Sequence, residues 1–432
     1  MALRSRKAII GASIGQAWPD RVSAKGLTRR NQMIQLSICL PTRNRQVYCI
    51  ETIRALAANE GTDFEVIVGD NSDDGSVLAD FFAGELNDSR FRLIGPEDAV
   101  LPMVDNWERL AGEAKGRWVS IIGDDDYIDP KLVLILKYYE RLYPEVESVS
   151  WSRMIYNWPD NRPVPALSVV PVTHDTYVAV KSNVQDRLYR WIEGNRRPAA
   201  AFGIYHGALR KSLMERIKRK YGNRYFEHPV VDFESNCKTI REARMMVHCQ
   251  RPLSVLGACA ASNSAGTRSQ KTKIERVEIF KKETEGKVDM DDPVFPFPIS
   301  DKGASICSTV ASTTSWFCRT YGIDLSGFPE NFARAAMDEC VNTVDENDYL
   351  DKVAYFKRGF DVWDGGKWRD FFKPEPFRGE PSAHQMTGVL RDYLYVREDA
   401  EPSRTPAEFY RFGEHAVLPV EVVASGARVF TR

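Results

Sequence analysis

Between about residues 34 and 151, short apolar runs alternate with stretches of helical periodicity, and this alternation constrains the fold more than any other feature. QLSICLP reads as a strand that ends at a proline. From Val47 the apolar residues fall at Val47, Ile50, Ile53 and Ala57, the spacing of one helix face, with Asn44 as candidate N-cap. FEVIVGD is a second buried strand, Ser76 to Leu86 a helix, and RFRLI a third strand. Leu101, Val104, Trp107, Leu110 and Ala114 mark another helix, closed by Gly116. RWVSIIG is a fourth strand, and Asp129-Pro130 reads as a cap plus first-turn proline for the helix KLVLILKYYERLY. Such alternation predicts an α/β fold with a mostly parallel sheet flanked by helices. Ligands of such sheets bind outside the carboxyl ends of the strands. That rule selects three loops, PTRNR, DNSDDGS and DDDYIDP, which are also the most polar of this half.

The rest of the chain is less regular. Pro159, Pro163, Pro165, Pro171 and Pro198 predict an irregular stretch over residues 152–200, with mixed structure from 201 to 260. The expected organisation is a basic tail (1–33), an α/β domain (34–265), a charged linker or helix (266–289) and a separate, mainly helical module (290–432). The nucleotide site is expected to be complete without that last module. In the tail, Arg4, Arg6, Lys7, Arg21, Lys25, Arg29 and Arg30 face only Asp20, which suits a surface-docking segment. AIIGASIGQAW is too diluted by Gln16 and two glycines for a signal sequence. A net charge of -1 excludes a whole-protein positive field for nucleic acid. No apolar run approaches the ~20 residues of a membrane-spanning helix. Eight singly scattered cysteines, without a CxxC pair, predict reduced thiols and a cytoplasmic setting, with peripheral association at the inner membrane face left open and the tail either mobile or surface-docking.

The sharpest chemical feature is Gly123-Asp124-Asp125-Asp126 at a strand end. In an extended chain, residues i and i+2 share a side, so Asp124 and Asp126 are expected to converge while Asp125 turns away. Adjacent carboxylates repel one another, and Mn²⁺ or Mg²⁺ would relieve that, held by one or two carboxylates with substrate phosphates completing the shell. The plainer reading is a solvated acidic turn that caps the next helix. In DNSDDGS, Asp70 suits hydrogen bonds to a base or ribose, and Asp74 with Ser76 suits an Asx-turn. Arg43 and Arg45 near a helix N-terminus suit a nucleotide. Neither GxGxxG nor a Walker-type GxxxxGK occurs, which argues against those phosphate loops.

Together these blocks resemble the inverting family-2 glycosyltransferases of GT-A fold. The resemblance rests on LSICLPTRNR, FEVIVGDNSDDGS and LPMVDNWERLAGEAKGRWVSIIGDDDYIDP, and spans roughly residues 35–265. It implies a nucleotide pocket lined by Pro41, Thr42, Arg43, Arg45, Asp70 and Ser72, with Asn106 and Asp125 near the donor and a metal site at Asp124 and Asp126. It also implies a catalytic base in the later block HPVVDFESN, with Asp232 first and Glu234 second. Where the family often has a Glu-Asp pair, this chain has Asp-Phe-Glu. Ser262, Asn263 and Ser264 resemble a loop near the diphosphate, and His206 and His228 are candidates to border the acceptor. The implied reaction is sugar transfer from a nucleoside-diphosphate sugar, UDP-sugar favoured, to a hydroxyl of a glycan or glycoconjugate. Two rivals stand beside it: a sugar nucleotidyltransferase, which usually opens with a glycine-rich loop that PTRNR lacks, and a non-catalytic nucleotide- or sugar-binding module.

Overall fold

The computed structural model describes residues 34–162, 167–192, 197–199, 201–262, 270–284, 289–379, 387–397 and 402–426. The basic tail, Asn263 and Ser264 lie outside the described residues. The first half runs β1 (Leu36–Thr42), α1 (Gln46–Ala57), β2 (Phe64–Asp70), α2 (Ser76–Gly84), β3 (Phe91–Ile94), α3 (Met103–Glu113), β4 (Trp118–Ile121), β5 (Tyr127–Ile128) and α4 (Leu132–Leu142). β1 pairs in parallel with β2 on one side and β4 on the other, and β2 pairs in parallel with β3. The predicted strands and helices of this half are therefore present, and the nucleotide-side sheet is parallel.

Alternate residues of β1 serve the two faces, as the period of two requires. Leu36, Ile38 and Leu40 pack with α1 and α4, while Cys39 joins Val104, Trp107 and Leu110 of α3 on the other face. Helix α3 lies so close to β2 that a Cβ on Gly69 would sit 2.8 Å from Leu110 side-chain atoms. Two boundaries differ from the sequence reading. Asn44 adopts φ 54° and Arg45 is the residue before α1. Asp129 closes an Asx-turn on the Lys131 amide at 2.9 Å, and α4 starts at Leu132.

The stretch predicted to be irregular is largely ordered. β6 (Val146–Asn157), β7 (Leu167–Pro171), β8 (Thr176–Val178) and α5 (Lys181–Tyr189) occupy it. Pro159 opens a short 3₁₀ turn after β6 and Pro171 ends β7, while Pro163 and Pro165 lie outside the described residues. β9 (Gly207–Arg210), α6 (Lys211–Lys220), α7 (Val231–Glu242) and β10 (Met245–Ala258) follow. β9 joins β4 to β6 by antiparallel pairing, and β10 runs parallel to β6, so the sheet is mixed beyond β4. α8 (Gln270–Thr284) fills the charged stretch as a helix, and α9 (Ile306–Thr320), α10 (Phe328–Val341) and α11 (Glu346–Val362) form a helical layer. That layer has its own aromatic core, with Phe297, Phe332, Phe356 and Phe360 fully or almost fully buried.

The carboxyl-terminal region is not a separate module. β11 (Gly388–Leu390) and β12 (Tyr393–Arg397) extend the main sheet, with β12 antiparallel to β7. α12 (Pro406–Glu414) and α13 (Val420–Ala424) return to the α/β core. Phe409 and Tyr410 pack against Met154, Tyr156, Trp158 and Val255, and Val420 joins the core beside α4. Residues 33–432 accordingly form one compact unit. The sequence hides this because β11 and β12 are short and their apolar residues were read as part of a helical region. Among the described residues, no helix is long and apolar enough to cross a membrane.

Removing residues 387–432 would expose this shared apolar surface, so the truncated chain is expected to aggregate or to lose cooperative unfolding. Tyr410→Phe removes a hydroxyl that donates to Asp129 Oδ2 at 3.0 Å and accepts from Arg251 Nη1 at 2.7 Å. It is expected to cost about 1–2 kcal/mol in urea unfolding of the full chain. A truncation that unfolds like the full chain would instead make the region independent.

Candidate active site

β1, β2 and β4 end side by side, and their loops are stitched together. Thr42 pairs with Asp70 in register, and the Asn71 amide donates to Thr42 O at 3.0 Å. The Ser72 amide donates to Asp70 Oδ1 at 2.9 Å, and Ser72 Oγ accepts from the Asn44 amide at 2.8 Å. Asp74 Oδ1 accepts from the Ser76 amide at 2.9 Å, the Asx-turn expected there. Arg43 donates to Asn71 O at 3.0 Å and to Glu283 of α8 at 2.6 Å, so it binds the first two loops to that helix. Asn106 is buried and works through a partner: its Oδ1 accepts from Arg109 Nε at 2.8 Å, and Arg109 Nη2 donates to Asp70 O at 2.6 Å. Arg109 escaped the sequence reading, although its spacing of three from Asn106 on a helix was a usable signal. Asp70 Oδ2 is buried with no hydrogen-bond partner, an acceptor left free beside Gly75.

The three aspartates do not follow strand geometry. β4 ends at Ile121, and residues 123–126 form a turn in which the Asp126 amide donates to Gly123 O at 3.2 Å. The rule that i and i+2 share a side therefore does not apply, and Asp124 and Asp126 do not converge. Asp124 faces β1 and α1: Thr42 Oγ1 donates to its Oδ2 at 2.6 Å, and Arg45 Nε does so at 3.1 Å. Asp126 faces the other way. Its carboxylate accepts from the Gly123 amide at 2.7 Å, Tyr205 Oη at 2.8 Å, His206 Nε2 at 2.9 Å and the Gly257 amide at 2.7 Å. Asp125 lies on the Arg45 side, 3.5 Å from Nη1, and accepts from Ser262 Oγ and the Cys259 amide. One guanidinium thus spans Asp124 and Asp125, the pair that the turn brings together.

Electrostatics follow from this division. Burial pushes the Asp124 carboxyl well up, against the pull of Arg45, and its neighbour Asp125 adds to the push. Asp126 is equally buried, but His206, the Gly257 amide and Tyr205 outweigh burial and hold it below the usual range. The turn itself is clamped: Thr52 Oγ1 reaches Asp124 O at 3.0 Å and Asp126 O at 2.9 Å, and Trp158 Nε1 donates to Asp125 O at 2.9 Å. A Cβ on Gly257 would fall 1.8 Å from Asp125 O, so only glycine fits there. Among the described residues, no group of three or more His, Cys, Asp or Glu side chains is arranged around a metal position. Asp124 Oδ1 is buried without an aligned hydrogen-bond donor, with Arg45 Nη2 2.5 Å away as its ion-pair partner, and with Asp125 it would make the one or two carboxylates that Mg²⁺ typically takes from protein. The residues fit a cation through Asp124 and Asp125, not through the pair Asp124 and Asp126.

The two candidate bases have unlike surroundings. Asp232 is half-buried in the first turn of α7. Shielding from solvent raises its pKa, against its own and the Phe233 amides and the charges of Arg153 and Arg197. A helix start tends to lower a carboxylate's pKa through the helix dipole, and here desolvation outweighs that pull. Glu234 is fully buried, accepts from the Glu227 amide at 2.9 Å and pairs with the fully buried Lys238 at 2.6 Å. That makes Glu234 a structural group facing the interior. His206 is buried between Asp126 and Ser254, and His228 is buried against Trp316 with its Nδ1 accepting from the Val230 amide at 3.1 Å. Neither histidine presents a free face.

Residues 37–216 match the model of glycosyl transferase family 2. That stretch of the chain therefore matches a family-2 glycosyltransferase domain, as its motifs implied. Among solved structures it is similar to S. aureus TarS 1-349 in complex with UDP-GlcNAc, at 14% identity and TM-score 0.42, over 78% of this chain and 89% of that one. TarS 1-349 in complex with UDP is similar at 13% identity and TM-score 0.38, over 86% and 98%. No curated protein matches the chain at a significant level.

Glu234→Gln leaves Lys238 buried with only Glu227, 2.8 Å away, as counter-charge. Urea unfolding is expected to show a loss of roughly 2–3 kcal/mol, somewhat below what breaking a fully buried pair costs. An unchanged midpoint would show that Glu234 is not a structural anchor.

Proposed function

We propose that this glycosyltransferase takes a nucleoside-diphosphate sugar, UDP-sugar first among them, and transfers the sugar with inversion to a hydroxyl of a glycan or glycoconjugate. The observation that carries the reading is a continuous path of contacts. The loop after β1, to which the β2 loop is hydrogen-bonded, reaches Asp124 through Thr42 and Arg45. Within the same turn Asp126 is bonded to Tyr205 and His206, and Gly203, just before them, packs against the Asp232 backbone, where a Cβ would lie 3.3 Å from Asp232 O. These contacts support reading a nucleotide at the β1 and β2 loops and a base at the start of α7 as two ends of one site.

In this reading Asp70 receives the base or ribose at its unpartnered Oδ2, with Arg109 and Asn106 fixing its backbone. Asp232 takes the proton of the acceptor hydroxyl as general base, and its raised pKa makes it a better one. A divalent cation, Mn²⁺ or Mg²⁺, held by Asp124 and Asp125, would stabilise the negative charge of the departing nucleoside diphosphate. One base suffices for direct displacement, unlike the carboxylate pair of glycoside hydrolysis. A cytoplasmic setting belongs to the proposal, because all eight cysteines are buried and unbridged.

The test is release of free nucleoside diphosphate from a panel of UDP-, GDP- and dTDP-sugars with candidate acceptors. Asp232→Asn is expected to cut turnover about 100-fold or more, with nucleotide affinity nearly unchanged. A base must be ionised, so activity should fall as pH drops through the Asp232 pKa, which burial places above the 3.8 of an ordinary aspartate. The acid limb should therefore lie at a higher pH than that value and be absent from the residual rate of Asp232→Asn. Full activity in that variant would remove Asp232 from the mechanism. Binding of a donor without release of nucleoside diphosphate would favour a non-catalytic module.

A further inference from the structure

We infer that Arg45 is a resident counter-ion that occupies the cation position between Asp124 and Asp125, and that the donor diphosphate draws it away to admit a divalent cation. The inference rests on the donor reading above and concerns the order in which that site fills. Arg45 Nη2 lies 2.5 Å from Asp124 Oδ1, Nε 3.1 Å from Asp124 Oδ2, and Nη1 3.5 Å from Asp125 Oδ1. The Nη2 contact is a close ion pair and not an aligned hydrogen bond, since Oδ1 has no hydrogen-bond donor. The guanidinium is therefore held by one directional bond, from Nε to Oδ2, and otherwise by charge.

The backbone explains why this side chain reaches back. Arg45 precedes α1 with φ −131° and makes no side-chain cap, so its side chain crosses the helix start toward the acidic turn. Asp124 is fully buried and Asp125 nearly so, while the Arg45 side chain keeps 19% exposure, which leaves it a route outward. Asp126 is compensated by Tyr205, His206 and two amides. Two buried carboxylates with one arginine carry one net negative charge. A divalent cation added to that trio meets a fixed positive neighbour at ion-pair distance and binds weakly. A diphosphate changes the balance, because it offers the guanidinium a planar, bidentate anionic partner of the kind arginine favours. Arg45 then exchanges partners, and Asp124 with Asp125 become free to hold the cation. Cation and nucleotide binding are thereby coupled through one side chain.

The test is titration of the full-length chain with Mn²⁺ alone, following loss of the free-ion EPR signal. Arg45→Gln, which removes the charge but keeps some hydrogen-bonding reach, is expected to bind Mn²⁺ at least about tenfold tighter than the parent, the scale of a single removed repulsion. Arg45→Lys, which keeps the charge, should bind Mn²⁺ as weakly as the parent. Adding UDP should tighten Mn²⁺ binding strongly in the parent and little in Arg45→Gln. The inference is overturned if folded Arg45→Gln binds Mn²⁺ no tighter than the parent, or if Arg45→Lys binds it as tightly as Arg45→Gln. It is equally overturned if adding Asp124→Asn to Arg45→Gln leaves the gain intact, since the ion would then sit elsewhere. A parent that forms the Mn²⁺–UDP complex beside an unimproved Arg45→Gln defeats the exchange and spares the donor reading. A tightened Arg45→Gln in a protein that never binds a nucleoside diphosphate supports the resident counter-ion and defeats the donor reading.

Discussion

Three consecutive carboxylates in one buried turn set the terms for the rest of this structure. Burying one ionised carboxylate without partners is prohibitive, and three adjacent ones also repel one another. The fold meets the demand by giving each a different partner set. Asp124 takes Thr42 and Arg45, Asp125 takes Ser262, the Cys259 amide and a share of Arg45, and Asp126 takes Tyr205, His206 and two amides. These partners come from β1, the start of α1, the segment before β9, and the end of β10 with the residues just after it. The turn can exist only when those elements are assembled, so the site is a product of the whole sheet and not of one loop.

The two halves of the sheet divide the labour. The parallel strands β3, β2, β1 and β4 align their carboxyl ends and so gather the polar loops on one edge. The mixed strands beyond β4 supply the back wall: Gly257 and Trp158 clamp the backbone of Asp125. The carboxyl-terminal segment then locks that wall in place. Arg251 is fully buried, donates to Leu418 O at 2.7 Å and to Tyr410, and Tyr410 reaches Asp129 at the far end of the acidic loop. Distance along the chain is therefore a poor guide to what supports the site.

Local signals were legible in the sequence where local physics decides. The four strands and intervening helices of the first half follow from periodicity, and the Asp74–Ser76 turn follows from short polar side chains bonding their own backbone. The acidic run was visible as chemistry, and Thr42, Arg45 and Asp70 do lie at or just beyond the carboxyl ends of the first two strands. What escaped was whatever depends on tertiary packing. A strand-end rule misplaced Asp126 because the chain turns at Gly123. Glu234 and Asp232 look alike in sequence, yet the helix sends one to Lys238 in the interior and leaves the other half-buried. β11 and β12 are too short to announce themselves, and only their pairing with β7 shows that the last residues belong to the sheet.

The central claim is that the loops after β1, β2 and β4 form one nucleotide site. Hydrogen–deuterium exchange of the full chain, with and without UDP and Mn²⁺, tests it most directly. The account predicts joint protection of residues 41–46, 70–76 and 123–129, with the helical layer of α9 to α11 unchanged. Protection confined to one of these loops, or appearing only in the helical layer, would contradict it.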